Sequence, residues 1–202
     1  AHKYTDEPVW ITGLGLASDM MRPGDRPDNP GFRGLFPEEA EAYPSHAIKP
    51  REPYPDIANF GACRVAARQA YKHAGITDPY KQIDFFEIHD AYDSAEIQTY
   101  EDLELCKRGH GAALSREGQT YVDGDVPCNV SGGLQGFGHP VGSTAIGQTV
   151  ECYWQLTGRI GEKHYSDKTQ VDGAEVGLNH SHAGTGTALA VMIMDVQKDR
   201  RW

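Results

Sequence analysis

Apolar positions along this chain change period several times, and each change marks an element. "PVWITGLGLA" (8–17) is a short apolar run closed by Gly13 and Gly15, as in a buried strand. In "NFGACRVAARQAYKHAGI" (59–76), Ala62, Ala66, Ala70 and Ala74 recur every four residues, which predicts a helix with Gly75 at its C′ position. Its small side chains would let that helix lie close to a neighbour. "QIDFFEI" (82–88) reads as a second buried strand. "DAYDSAEIQTYEDLELC" (90–106) reads as a helix with Asp90 as N-cap and two more acids in its first turns. "STAIGQTVECYWQLTG" (143–158) predicts another helix, which Ser143 caps and Gly158 stops, with Ile146, Val150 and Trp154 along one face. "EVGLNHSHAGTGTALAVMIMDV" (175–196) closes the pattern with two strand-like runs around a small-residue turn, adjacent and antiparallel. The order β, α, β, α, α, β, β predicts an α/β protein, a layered sheet with helices on its faces.

One stretch breaks the pattern. From Asp19 to Asn59 the chain carries eight of its 12 prolines, which supply no ladder donors and fix φ, so an excursion or arm is expected there. A connection that long usually serves function or meets a partner. At 202 residues, with 39% hydrophobic and 24% charged positions, a single soluble globular domain is expected. No apolar run approaches the roughly 18 residues a membrane span needs, and no signal-peptide pattern opens the chain. The net charge of −10 argues against a nucleic-acid surface, though not against a small anionic ligand. The four cysteines, Cys63, Cys106, Cys128 and Cys152, lie far apart without CxxC spacing, so a reduced cytoplasmic setting is expected.

Candidate chemistry gathers at three corners. His89 ends the strand "FFEI" and opens a helix. His139 sits in "NVSGGLQGFGHPVGSTAIGQT" (129–149), where six glycines surround a single imidazole just before a helix. His180 and His182 lie between the last two strands. Ligands of open α/β sheets collect beyond the carboxyl ends of strands, where helix N-termini present free N–H groups. A histidine there tends to stay neutral, able to donate or accept. His46, His73, His110 and His164 read as surface residues. His89, Asp90, His139, His180 and His182 include zinc- and iron-ligating types, yet their spacing matches no short ligand signature, and no metal is expected.

Taken together, "EIHDAYDSAE", "NVSGGLQGFGHPVGSTA" and "NHSHAGTGTA", in this order and near these separations, resemble the C-terminal half of a thiolase. The likeness is to the archaeal and sterol-carrier-type branch, with its His-Asp-x-Phe loop, and runs from about Pro8 to Val196. It implies a mixed five-stranded sheet with helices on its faces, residues 1–202 forming one C-terminal thiolase domain interrupted at about 19–59. The implied chemistry is acyl transfer, by thiolytic cleavage or Claisen condensation of a 3-ketoacyl-CoA. The coenzyme A thioester is then substrate and no cofactor is needed. The resemblance gives His139 the task of activating a nucleophilic cysteine and holding the thioester oxygen, and His89 a place in the first oxyanion hole. Asn129 and Gly138 would shape the His139 loop. Ala183, Gly184, Thr185 and Gly186 would present N–H groups to a second oxyanion, where preorganised donors contribute several kcal/mol.

Two departures from the family pattern stand out. The nucleophilic cysteine belongs to an N-terminal half to which nothing here corresponds, so a companion chain or a missing half is implied. The acid/base cysteine of the closing loop is replaced by His180, and the alternative cysteine position in the branch is Ala91. Acid/base duty then falls on His180, on Tyr92 or on the missing half. A retro-aldolase acting on a β-hydroxyacyl-CoA and a non-catalytic thiolase-like subunit are the competing readings. A small OB-fold acyl-CoA-binding partner, with residues 19–59 as a contact, and a homo-oligomer are implied by analogy.

Overall fold

The computed structural model describes residues 3–21, 60–164 and 167–202, so the excursion expected at 19–59 lies outside the described residues beyond Met21. Four strands, β1 (Trp10–Ser18), β2 (Phe85–Glu87), β3 (Val176–Ala183) and β4 (Ala188–Asp195), form a sheet in the order β1-β4-β3-β2. β4 runs antiparallel to both neighbours and β2 parallel to β3. A fifth strand was expected. Its place is taken by an isolated bridge between Phe86 and Cys128. The reason is local: Pro127 has no N–H to give, and Asn129 turns left-handed at φ 50°, so the ladder stops after one step.

One face of the sheet is closed by α1 (Gly61–Ala74). Its buried side, Ala62, Ala66, Ala67 and Ala70, lies against β1, and the glycines of β1 explain how closely. A Cβ on Gly13 would sit 2.4 Å from the Ala70 carbonyl oxygen, and one on Gly15 would sit 1.8 Å from that of Ala66. α1 also caps the outer margin of β1, where Gln69 Oε1 accepts the Leu16 N–H and the His73 ring meets Leu14 O at 2.8 Å. Gly75 ends the helix left-handed at φ 75°, as expected. Behind α1 runs α3 (Asp93–Asp102), joined to it by Tyr71 Oη–H on Leu103 O and by the buried Arg64–Asp102 pair, with Arg108 on the same carboxylate.

α6 (Thr144–Leu156) lies on the other face, over β3. Its orientation runs against the usual amphipathic rule. Gln148, Glu151, Cys152 and Gln155 are buried, while Ile146 is 66% and Val150 38% exposed. Most of these buried polar atoms are engaged: Gln148 Nε2 donates to Ile88 O, Gln155 bonds Thr169 O and Val171 N–H, and Glu151 pairs with His164 at 3.0 Å. Period two puts Leu14 and Leu16 of β1 on this same face, 46% and 63% exposed. The apolar stripe predicted on α6 is real and points away from the sheet.

Two predicted caps differ. Ser143 occupies the N-cap of α6 but makes no side-chain cap bond. Asp90 does not cap α3, which begins at Asp93 with Tyr92 as N-cap. Its carboxylate is drawn instead to the Leu134 N–H, 2.7 Å away, in the glycine-rich loop. The remaining short helices, α2 (Pro79–Gln82), α4 (Gly111–Arg116), α5 (Gly133–Phe137) and α7 (Ile160–Lys163), turn the connections.

Candidate functional site

β2 and β3 run parallel, so their carboxyl ends lie on one side of the sheet. His89 follows β2 there, and alternation along β3 puts His180 and His182 on one face. The glycine-rich loop brings a fourth imidazole, His139, from the far side. The ring centroids of His89 and His139 are 4.9 Å apart, edge to face. His182 stacks on His89 at 5.0 Å with 18° between planes, and His180 lies 6.2 Å from His182. Four histidines thus meet, three of them those expected.

Burial sorts their chemistry. Desolvation, followed by the neighbouring His182 and His139, lowers the His89 pKa to about 4, so this ring is neutral at physiological pH. His180 is fully buried, and that burial, then His182 and His89, holds its pKa well below the ordinary value. The His89 N–H donates to His180 Nδ1 at 3.3 Å, which assigns the proton of neutral His180 to Nε2. His139 is exposed, with Nδ1 2.7 Å from Thr144 Oγ1 and its ring edge to face with that of His89. Two imidazoles sit neutral in the wall, and one stands at the mouth.

The loop that carries His139 needs unusual backbone. Asn129 is left-handed, its Oδ1 accepts the Ile88 N–H at 2.8 Å, and its Nδ2 donates to Glu96. Gly138 adopts φ 97°, a conformation open mainly to glycine, directly before His139. The closing loop also turns left-handed, with Gly184 at φ 62° and Gly186 at φ 75°. Here the geometry differs from expectation. The Gly186 N–H donates to His182 Nε2 at 2.9 Å, so it is already engaged within the chain. The same nitrogen lies 2.8 Å from Gly184 O, and the Phe60 ring, 4.6 Å from His182, fills the space a Cβ on Gly186 would need. Tyr92 stands 73% exposed.

His182 was missed as a site residue. The signal was present, since a residue two places from His180 on a strand shares its face. The thiols, by contrast, are set apart from the chemistry. Cys63, Cys128 and Cys152 are buried, which raises their pKa values well above the ordinary range, and burial lifts that of Cys106 to about 12.

Residues 45–196 match the family described as "Thiolase C-terminal domain-like". The chain is 36% identical over 193 residues to an acetyl-CoA acetyltransferase of Methanothermobacter thermautotrophicus, covering 96% of this chain and 41% of that one. It is 39% identical over 137 residues to sterol carrier protein 2 of Homo sapiens, covering 68% of this chain and 23% of the relative. A solved structure, "Ltp2-ChsH2(DUF35) aldolase", shares the fold at a TM-score of 0.67 and 17% identity, covering 96% of this chain and 41% of that one. The chain therefore spans well under half the length of these proteins.

Proposed function

Because the chain belongs to the thiolase C-terminal domain-like family, we propose that it is the histidine-bearing half of an acyl-CoA acyltransferase acting on a coenzyme A thioester. The observation that carries this reading is the meeting of neutral His89 with exposed His139 beyond the carboxyl ends of two parallel strands. Thiolytic cleavage of a 3-ketoacyl thioester needs a base for a thiol proton and a donor for the oxygen on which charge develops. His139 is open for the first task. His89 suits the second, because a neutral imidazole donates a hydrogen bond without bringing a charge into the site.

The nucleophile is assigned to a companion half, since every thiol of this chain is held protonated by burial or lifted beyond physiological pH. The uncovered apolar positions Ile146, Val150, Leu14 and Leu16 supply a face for that half. His180, enclosed and with Nδ1 engaged, orients His89 in this scheme, and acid/base duty passes to His139 or to the companion. The proposal extends to an OB-fold acyl-CoA-binding partner and to self-association.

The test is to express the chain with its companion, add radiolabelled acetyl-CoA, and locate the acyl group. The expected result is label on a companion cysteine, loss of turnover after iodoacetamide, and a fall of about 100-fold or more in kcat for His139→Ala. A retro-aldol reading is favoured by one observation: each thiol of this chain is buried or lifted in pKa, so the chain's own groups invite no covalent step. Turnover that survives alkylation would select it.

A further inference from the structure

A buried acid lies close to the histidines and takes no part in the chemistry proposed for them. Glu87, the last residue of β2, is fully buried, on the α6 side of the sheet. Its Oε2 accepts the Ser131 hydroxyl at 2.7 Å and its Oε1 the Ser131 N–H at 3.3 Å, while Ser131 Oγ accepts the Gly133 N–H at 3.1 Å. Neighbouring residues repeat the pattern. Phe86 O accepts the Asn129 N–H, the Ile88 N–H donates to Asn129 Oδ1, and Asp90 Oδ1 accepts the Leu134 N–H. Gly133 completes the fit, since a Cβ there would lie 2.1 Å from Asp90 Oδ2. Residues 86–90, which end beside His89, are thus laced to residues 129–134, which lead to His139.

We propose that Glu87 is a positioning residue for this site: through Ser131 it holds the glycine-rich loop so that His139 stands at its fixed separation from His89. This rests on the functional reading above. Glu87 does so as an uncharged acid. Burial, opposed by the Ser131 bonds and reinforced by Glu151 and Asp90, raises its pKa to about 8. The titratable groups around it are Glu151 and Cys152 of α6, Cys128 at the isolated bridge and Asp90 of its own segment, none of them cationic. Among the described residues its register partner Asn179 has a buried Oδ1 without a hydrogen-bond partner, as does Gln148 Oε1, and a neutral carboxyl carries the kind of O–H that such acceptors lack.

Ser131→Ala, Glu87→Ala and Glu87→Gln, each in the chain assembled with its companion half, test this. Imidazole NMR of His139 and His89, with the Gly133 and Leu134 amides, reports loop placement, and kcat and KM report its consequence. Ser131→Ala and Glu87→Ala should move the His139 and Gly133 resonances and lower kcat by about 10- to 100-fold with little change in KM, since displacement near 1 Å is worth that much. Glu87→Gln keeps an acceptor for Ser131 and no charge, and should recover most of what Glu87→Ala loses. Should Glu87→Ala not fold, Ser131→Ala carries the test alone. An unmoved His139 resonance in Ser131→Ala overturns the proposal, and a Gln variant as impaired as the Ala variant overturns the neutral acid. If no variant, nor the parent, shows turnover, the functional reading fails while the resonances still decide the positioning.

Discussion

α1 and α6 pack on the same sheet by opposite means. α1 buries alanines against glycines, a seam so tight that β1 backbone meets helix backbone. α6 buries glutamines and a glutamate in hydrogen bonds, leaving Ile146 and Val150 outward. The first helix is finished by this chain. The second has apolar surface on the side where solvent-facing helices are polar, the face proposed for the companion half.

The largest effect should come from filling the closed seam. Gly15→Val places methyl groups where the Ala66 carbonyl stands and should destabilise the chain by about 3 kcal/mol or more, read from urea unfolding. A tolerated valine would mean that α1 can retreat. On the open face, Ile146→Asp should leave the unfolding of the separate chain within about 0.5 kcal/mol. The same change should weaken binding of the companion half by about tenfold or more, from the apolar area no longer buried. Unchanged binding by calorimetry would place the companion elsewhere.

A third, smaller effect is set by pH. The folded chain keeps the Glu87 proton to about pH 8, whereas the unfolded chain sheds it near 4.5. Folded protein therefore holds the extra proton across that interval, and stability falls as pH rises through it. His89, lowered from 6.5 to about 4, acts in the opposite sense but only below about pH 6.5. From pH 6.5 to 8 the raised carboxyls Glu87 and Asp102 dominate, and the chain should lose about 1–2 kcal/mol. Glu87→Gln should flatten this slope, most clearly between pH 7 and 8. An unaltered slope would assign it to other groups. The smallest effect is expected at the start of α6. Ser143→Ala should alter stability by less than about 0.3 kcal/mol, where a bonded cap is worth about 1 kcal/mol, because Ser143 makes no cap bond.

What the sequence disclosed follows from range. The alanine repeat of α1, its Gly75 stop and the antiparallel β3–β4 pair are local patterns, and the structure keeps them. His89 and His139 were legible because strand end and glycine-rich turn each announce themselves within a few residues. Asp90 was not, because its partner Leu134 is 44 residues away and outcompetes the nearer helix start. The engagement of the Gly186 N–H by His182 was hidden for a related reason, since loop glycines announce freedom of φ but not where their N–H groups point. The stripe on α6 was read correctly, but its outward direction depends on what the other side of the helix must satisfy.

Among the described residues, both margins of the sheet are blunted. Beyond β2, Pro127 and Asn129 end pairing after a single bridge, and along β1 the side chains of Gln69 and His73 occupy main-chain groups that another strand would seek. Such blunting guards against edge-to-edge polymerisation. Growth of any assembly around this chain is thereby steered away from sheet extension and onto its broad surfaces.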